Sequence, residues 1–364
     1  MEAKYIAWRN AYIRSSPEGL YCFYNASGDN GDAVTCSEAH GYAMLISILH
    51  RNLQDFDALL RFFLHFRNEK GLMKWQVRQK KHHALYVAED GQTSATDGDI
   101  DIAAALILAS RLFPQGSPAY PAGAYRHEAQ ALLSAIYRYE IHPDLRTPLL
   151  GDWCNSDGDD NVRLYNATRS SDFILSAFHL FEQFVDDAGQ KQAWRSVVDA
   201  VVGATVSVSS QSETGLVPDF LEYNAQERTW KPAWGKLLEG EYDGHVSWNA
   251  CRTPWRLAHY YAVTQDARLR PVLDKMYKSL VSPDHRECDF PQTPAGIDIW
   301  SGKPLVDYSD KAFIAPTSYL CYVLGDSASH KQGVDALAAA KDSYFGDSID
   351  VLIAEQAVNA ELFR

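Results

Sequence analysis

Long apolar runs are missing from this chain of 364 residues. No stretch approaches the roughly 18 consecutive apolar residues that a membrane-spanning helix needs. The first residues also lack the charged leader and apolar core of a signal peptide. We therefore expect no membrane span and no signal peptide in this sequence. Linkers rich in Pro, Gly or Ser and long charge runs are missing too, which favours one domain over residues 1–364.

The motifs of several enzyme classes are also absent. The sequence contains no GxSxG, GxxxxGKS/T, GxGxxG or HExxH, which argues against serine hydrolase, P-loop, Rossmann and zincin chemistry. Its six cysteines are scattered without a CxxC pair, so neither a zinc knuckle nor a redox motif is expected. We expect no cofactor and no metal.

A basic stripe is the third absence. The chain has 34 Lys and Arg against 47 Asp and Glu, a formal net charge of -13. Nucleic-acid binding needs clustered basic side chains, so this balance argues against it. An acidic protein suits a neutral or cationic ligand.

Apolar side chains recur at helical spacing in twelve stretches, which come in adjacent pairs. Short polar connections within several pairs predict antiparallel helical hairpins. Six hairpins in succession predict an all-α fold in which the pairs form a closed ring. The predicted helices are 3–13, 38–51, 54–68, 100–113, 123–140, 171–186, 190–208, 249–265, 267–281, 314–325, 331–343 and 348–361.

The segments between the helix pairs are long, aromatic and acidic, which is where a helical ring would place a binding groove. Short strands are predicted only at 83–87 and 215–220. The long loops are 14–37, 69–99, 141–169, 209–248 and 282–313.

Three carboxylates, Asp97, Asp99 and Asp101, stand at the mouth of the apolar helix predicted at 100–113. Acidic residues favour a helix N-terminus, but three within five residues exceed what capping requires. A polar site at the end of a buried helix explains the surplus. Helix capping and a calcium site remain alternatives, although the late bidentate Glu of an EF-hand is missing. The acidic run at 155–160 invites the same calcium interpretation.

Glu38 stands in the first turn of another predicted helix, with Ser37 as the expected N-cap. Glu38 could be a capping carboxylate. Alternatively, facing an apolar ring interior would raise its pKa and suit it to general-acid catalysis. The small residues Gly41 and Ala43 would allow a ligand to approach closely.

Trp75 and Trp153 lie in predicted loops beside acidic residues. An indole packs well on the apolar face of a pyranose while acids bind its hydroxyls, so both residues suit sugar recognition. A structural role for either tryptophan stays open.

Together these segments resemble glycoside hydrolase family 8, the inverting endo-glycosidases that include cellulases, xylanases, licheninases and chitosanases. Residues 95–113 resemble the family's signature helix, and residues 37–42 resemble its general-acid motif. Further similar segments are Trp75, 151–153, 214–219 and 249–256. The resemblance implies an (α/α)6 barrel, in agreement with the twelve predicted helices.

The resemblance also implies roles for individual residues. Glu38 would be the proton donor and Asp97 would hold the sugar at the cleavage point. Asn249 stands where the family's cellulases have the catalytic Asp, and an amide cannot serve as the base. In the chitosanase and licheninase branch a Glu in an upstream insertion replaces it, which here indicates Glu239. Glu241 and Asp243 are the runners-up, and a surface loop without a catalytic role is the alternative.

We further expect sugar contacts near the cleavage point. Ala39 and His40 replace the usual Gly and Gln, so His40 could alter one contact, and Asp172 falls where the family commonly has Tyr. The expected substrate-binding residues are Trp75, Trp153, Asp99, Tyr242, Trp248, Asn249, Arg252 and His40.

The predicted function is inverting endo-β-1,4-glycoside hydrolysis of a polysaccharide, with the carboxyls of Glu38 and Glu239 roughly 6.5–9.5 Å apart. The negative net charge favours chitosan as substrate. The alternatives are a β-1,3-1,4-glucanase, a cellulase or xylanase, and a non-catalytic carbohydrate-binding barrel. By the resemblance we expect a secreted protein, and we predict a monomer whose only partner is a polysaccharide or oligosaccharide.

Overall fold

The computed structural model describes residues 2–81, 83–156, 159–282 and 290–364. The twelve predicted helices all occur in this part of the chain, and a short helix, α6, was not predicted. Their bounds are α1 Glu2–Tyr12, α2 Ser37–Leu49, α3 Leu53–His65, α4 Thr96–Leu112, α5 Ala124–Tyr139, α6 Asp159–Tyr165, α7 Leu175–Phe184, α8 Ala188–Ser209, α9 Thr253–Thr264, α10 Arg270–Leu280, α11 Lys311–Leu324, α12 Ser327–Ala339 and α13 Tyr344–Val358.

Six helices form a closed inner ring. Going round the ring, α2 packs on α4, then α7, α9, α11 and α13 follow, and α13 packs back on α2. The remaining long helices, α1, α3, α5, α8, α10 and α12, lie outside and pack on this ring. A helix that is surrounded by others is buried on all sides, and residues 39–49 of α2 are all buried. The predicted (α/α)6 barrel is confirmed.

The N-termini of the inner helices meet at one end of the barrel. At the starts of α2 and α4, Ser37 lies against Gly98. Arg252, just before α9, contacts the first turns of both helices. Its guanidinium also lies over the ring of Phe345 in α13, 5.4 Å from the ring centroid. Side chains at this end therefore converge from distant parts of the sequence.

Two glycines allow α2 and α4 to pack closely. A Cβ on Gly98 would lie 2.5 Å from the Ser37 carbonyl carbon, and one on Gly41 would lie 2.9 Å from the Gly98 carbonyl oxygen. We expected Gly41 to admit a ligand, but it admits a neighbouring helix. This contact brings the acidic first turns of α2 and α4 together.

Small antiparallel sheets occupy the loops at this end. Within the described residues there are three, ordered β1-β2, β3-β4-β5 and β6-β7-β8. The predicted strand at 83–87 overlaps β5, whereas the one at 215–220 meets β7 only at Phe220. The strands are β1 Ile13–Ser16, β2 Gly19–Cys22, β3 Ala33–Cys36, β4 Gln76–Gln79, β5 Leu85–Tyr86, β6 Ala167–Arg169, β7 Phe220–Asn224 and β8 Thr229–Pro232.

Five cysteines lie in the described part of the chain, and all five are buried free thiols: Cys22, Cys36, Cys154, Cys251 and Cys321. Cys288 and part of the acidic run at 155–160 lie outside the described residues. Among the described helices, none has the length and apolar character to cross a membrane.

Candidate active site

Glu38 lies in the first turn of α2, directly after strand β3. The helix begins at Ser37, whose N–H donates to the Trp75 carbonyl at 2.9 Å. Cys36 occupies the N-cap position without a side-chain bond, so the expectation of a Ser37 cap was wrong. The Glu38 side chain is 21% exposed. Burial raises its pKa to about 7, with a further increase from Asp97 that Arg252 partly offsets. Glu38 can therefore hold a proton near neutral pH.

Arg252 connects the carboxyls of the site. Its Nη1 donates to Glu38 Oε2 at 2.6 Å and to Asp97 Oδ2 at 3.1 Å, while its Nη2 donates to Asn249 Oδ1 at 3.0 Å. The side chain is almost fully buried. A guanidinium suits this position because its planar donors reach several acceptors at once.

Asp97 differs from Glu38 in its protonation. Burial disfavours its charge, but Arg169 and Arg252 outweigh that effect and hold the pKa of Asp97 below its usual value. The Gly98 N–H also donates to Asp97 Oδ1 at 2.9 Å. Two adjacent carboxyls thus have pKa values pushed in opposite directions, an arrangement typical of sites that divide proton transfer from charge stabilisation.

Arg169, at the end of β6, is a site residue that the sequence analysis missed. Its Nη2 lies 3.8 Å from Asp97 Oδ1, its Nη1 lies 3.7 Å from Glu239 Oε1, and its Nε donates to Asp172 Oδ1 at 3.2 Å. Burial raises the pKa of Asp172 to about 6, although Arg169 opposes the increase. Three acids from separate segments therefore surround one guanidinium.

Glu239 lies in the loop between β8 and α9. Its Oε2 accepts a hydrogen bond from Asn249 Nδ2 at 2.9 Å, and its side chain is 45% exposed. Asn249 therefore bridges Glu239 and Arg252, which links Glu239 to Glu38 through two polar side chains. Glu239 faces the other carboxyls and still has access to water.

Asp243 shapes the turn that carries Glu239. Its Oδ2 accepts the N–H groups of Leu237, Leu238 and Glu239 at 2.8, 2.7 and 3.1 Å, and its Oδ1 accepts that of Gly240 at 2.9 Å. The residue is buried. Because backbone N–H groups engage both oxygens, this arrangement disfavours Asp243 as the alternative base. The other alternative, Glu241, is exposed.

Asp219 contacts both the backbone N–H and the side-chain amide of Asn249 and fixes its position. Its Oδ1 accepts the N–H groups of Ser247 and Ala250 at 2.8 and 2.7 Å, and its Oδ2 lies 3.4 Å from Asn249 Nδ2. Burial raises the pKa of Asp219 to about 7 in spite of these backbone bonds. The acid lies within the segment 214–219 noted in the sequence, but its position behind Asn249 was not predicted.

Comparisons with known proteins identify the family of this chain. Residues 5–357 match the model of glycosyl hydrolases family 8. This chain belongs to that family. A beta-glucanase of Niallia circulans is 35% identical over 285 residues, which is 76% of this chain and 64% of that relative. The chain thus spans slightly less than two thirds of that curated relative.

Solved family 8 structures share the fold. A β-1,3-1,4-glucanase from Paenibacillus sp. X4 is 28% identical with a TM-score of 0.82, over 99% of this chain and 91% of that one. A cold-adapted family 8 xylanase is 14% identical with a TM-score of 0.78, over 99% and 91%. The family resemblance inferred from the sequence motifs is confirmed.

Four aromatic residues predicted to contact sugar lie around this family 8 site. Trp75 is half-buried beside the start of α2. Trp153 packs at the edge of a small cluster that includes Phe220. Trp248 precedes Asn249, is partly exposed, and packs against Phe313 and Phe345. Tyr242 is half-buried in the Glu239 loop.

Two predicted sugar contacts are corrected by the structure. His40 is fully buried, its Nε2 is 3.0 Å from the Leu59 carbonyl, and its ring stacks on Phe62. It faces the outer helix α3 rather than the groove. Asp99 is also fully buried and accepts the Met73 N–H at 2.9 Å. Through this bond Asp99 braces the loop that contains Met73. Because α4 starts at Thr96, Asp99 lies within the helix and not in the loop before it.

Asp101 and Arg256 form a buried ion pair at 2.6 Å beneath the site. Burial raises the pKa of Asp101, with Arg256 opposing the increase. Of the three acids that open α4, only Asp97 therefore contacts Arg252. Asp97 is therefore a site residue, whereas Asp99 and Asp101 make buried contacts that stabilise the structure around it.

Proposed function

We propose that this chain is an inverting endo-β-glycoside hydrolase with Glu38 as general acid and Glu239 as general base. The observation that carries the proposal is the connection of two carboxyls through Arg252 and Asn249: Glu38 is mostly shielded from water and Glu239 is exposed to it. Glu38 would protonate the leaving oxygen while Glu239 activates water on the opposite ring face. Asp97, ionised beside two arginines, would bind and orient the sugar at the cleavage point.

We propose mixed-linkage β-1,3-1,4-glucan as the substrate. The similar Paenibacillus enzyme is named a β-1,3-1,4-glucanase, and the Niallia relative is named a beta-glucanase. Arg169 and Arg252 offset the carboxylates at the cleavage point, so this part of the groove suits a neutral sugar. Chitosan is the second candidate, because the net charge of -13 would attract a cationic polymer.

Residues 1–364 would form one catalytic domain, acting as a secreted monomer on polysaccharide. A carbohydrate-binding barrel without turnover is the alternative of another class. It is supported by Asn249 at the position of the cellulase base, and opposed by Glu239, which lies within hydrogen-bonding distance of that amide.

The experiment measures reducing ends released from lichenan, chitosan, cellulose and xylan. We expect wild type to act best on lichenan, and Glu38→Gln and Glu239→Gln each to lose about 10²–10⁴-fold in kcat. Glu241→Gln is the matched control, because it removes an exposed acid two positions away. Proton NMR of the first product should show an inverted anomer.

If the wild type binds these polymers but hydrolyses none of them, the carbohydrate-binding barrel would be favoured. Full activity of Glu239→Gln would refute its role as base. A higher kcat/KM on chitosan than on lichenan would reverse the substrate assignment.

A further inference from the structure

Trp234 has the most exposed large hydrophobic side chain in the described part of the chain, at 87%. It follows β8 and precedes Glu239 by five positions. Indoles are highly buried on average in folded proteins, because they carry a large apolar surface. An indole left in solvent so close to the proposed base therefore needs an explanation.

The backbone of Trp234 is held in place from both sides. Its N–H donates to Glu222 Oε2 at 2.8 Å, and its carbonyl accepts a hydrogen bond from Arg163 Nη2. Arg163 also pairs with both carboxylate oxygens of Glu222, at 2.6 and 2.8 Å, and donates to the Lys236 carbonyl at 3.1 Å. The indole thus projects from a fixed turn rather than from a loose loop.

The residues on either side connect this turn to the site. Ala233 belongs to the small hydrophobic cluster against which Trp153 packs, and Leu237 packs on the same cluster. Continuing along the chain, the turn leads into the loop that Asp243 fixes and that carries Glu239. Trp234 therefore lies between two residues of the chain that pack in the same cluster as Trp153.

We propose that Trp234 is a stacking platform for a pyranose ring of the polysaccharide, outside the rings held at the cleavage point. The choice of ligand rests on the proposed function. The flat apolar face of a pyranose can cover an indole without burying a charge, and the Arg163–Glu222 pair can offer polar contacts to its hydroxyls. A protein partner fits less well, because a specific interface buries far more surface than one indole supplies.

The test measures binding in the Glu38→Gln background, so that no substrate is consumed. Affinity electrophoresis in lichenan, with calorimetry against a β-glucan trisaccharide, compares that protein with versions that add Trp234→Ala or Trp234→Phe. Tyr322→Ala is the matched control, because Tyr322 is 54% exposed and lies at the opposite end of α11 from the site. We expect Trp234→Ala to weaken polymer binding about five- to tenfold, with Phe restoring part of it.

Trisaccharide binding separates a platform from a damaged loop. A platform outside the cleavage point predicts that Trp234→Ala weakens polymer binding more than trisaccharide binding. Equal losses for both ligands, or no loss of polymer binding, would overturn the proposal. Absence of hydrolysis by the wild type would refute the proposed function. The comparison of polymer and trisaccharide binding would still test the role of Trp234.

Discussion

Replacing Asp97 with Asn tests how the two carboxyls on Arg252 influence each other. Both contact the same guanidinium nitrogen, at 2.6 Å for Glu38 and 3.1 Å for Asp97. Two unit charges about 6 Å apart repel by about 3 kcal/mol at an effective dielectric constant of about 20, equivalent to about 2 pKa units. Arg252 lies between them and offsets part of this repulsion. We therefore expect the Glu38 pKa of about 7 to fall by about 1 unit in Asp97→Asn.

The sign follows from the proposed role of Glu38 as proton donor. In that role Glu38 must be protonated for turnover, so activity should be lost as the pH rises through the pKa of Glu38. Removing the negative charge of Asp97 makes ionised Glu38 easier to form. The alkaline limb of the pH profile should therefore move to lower pH.

The assay is kcat/KM against pH on soluble mixed-linkage glucan, because this quantity reports the pKa values of the free enzyme. Asp97→Asn should also lose activity at every pH, since Asp97 is proposed to hold the sugar. Asp335→Asn, an exposed residue of α12, should leave the profile unchanged. An alkaline limb that stays in place, or moves to higher pH, would refute the electrostatic coupling.

Three further predictions follow from buried contacts. Asp243→Asn should lower kcat about 10²-fold, because it loosens the turn that carries Glu239. Glu241→Gln is the control. An unchanged kcat in Asp243→Asn would show that the turn holds without the carboxylate. Asp99 and Glu140 are buried side by side, burial raises both pKa values well above normal, and stability should fall as the pH rises through them. Glu140→Gln should therefore flatten this fall of Tm with rising pH, and an unchanged slope would contradict the assignment. Gly98→Ala should cost about 1–3 kcal/mol of unfolding free energy by pushing Ser37, whereas Gly203→Ala, with open space around it, should not destabilise; equal effects on Tm would refute the close contact.

The barrel and its acidic helix starts could be predicted from sequence because both depend on local patterns. Inner helices such as α2 are rich in apolar residues around their circumference, and short polar connections mark the hairpins. Glu38 and Asp97 stood out because acids at the start of apolar helices are conspicuous. Their proximity follows from the ring, which places the inner helix N-termini together.

The direction of buried polar side chains could not be predicted in the same way. His40 lies two positions from Glu38 and turns toward α3, and Asp243 binds four backbone N–H groups that belong to its own loop. The sequence shows that such residues are near the site. It does not show whether a carboxylate is open to substrate or used by the backbone, because that depends on the path of an irregular loop.

Arg169 and Arg252 compensate the buried acids, and the need for such compensation can be predicted from sequence. Acids forced into a buried helix end must be compensated by buried cations or be protonated. Glu38 takes the second course in part, while Asp97 depends on Arg169 and Arg252. Acids at these positions therefore predict a buried cation or a protonated carboxyl, but the residue that supplies the cation depends on contacts between segments far apart in the chain. Because these cations offset the acids, the cleavage point suits a neutral sugar, and discrimination among neutral polymers has to come from contacts outside it.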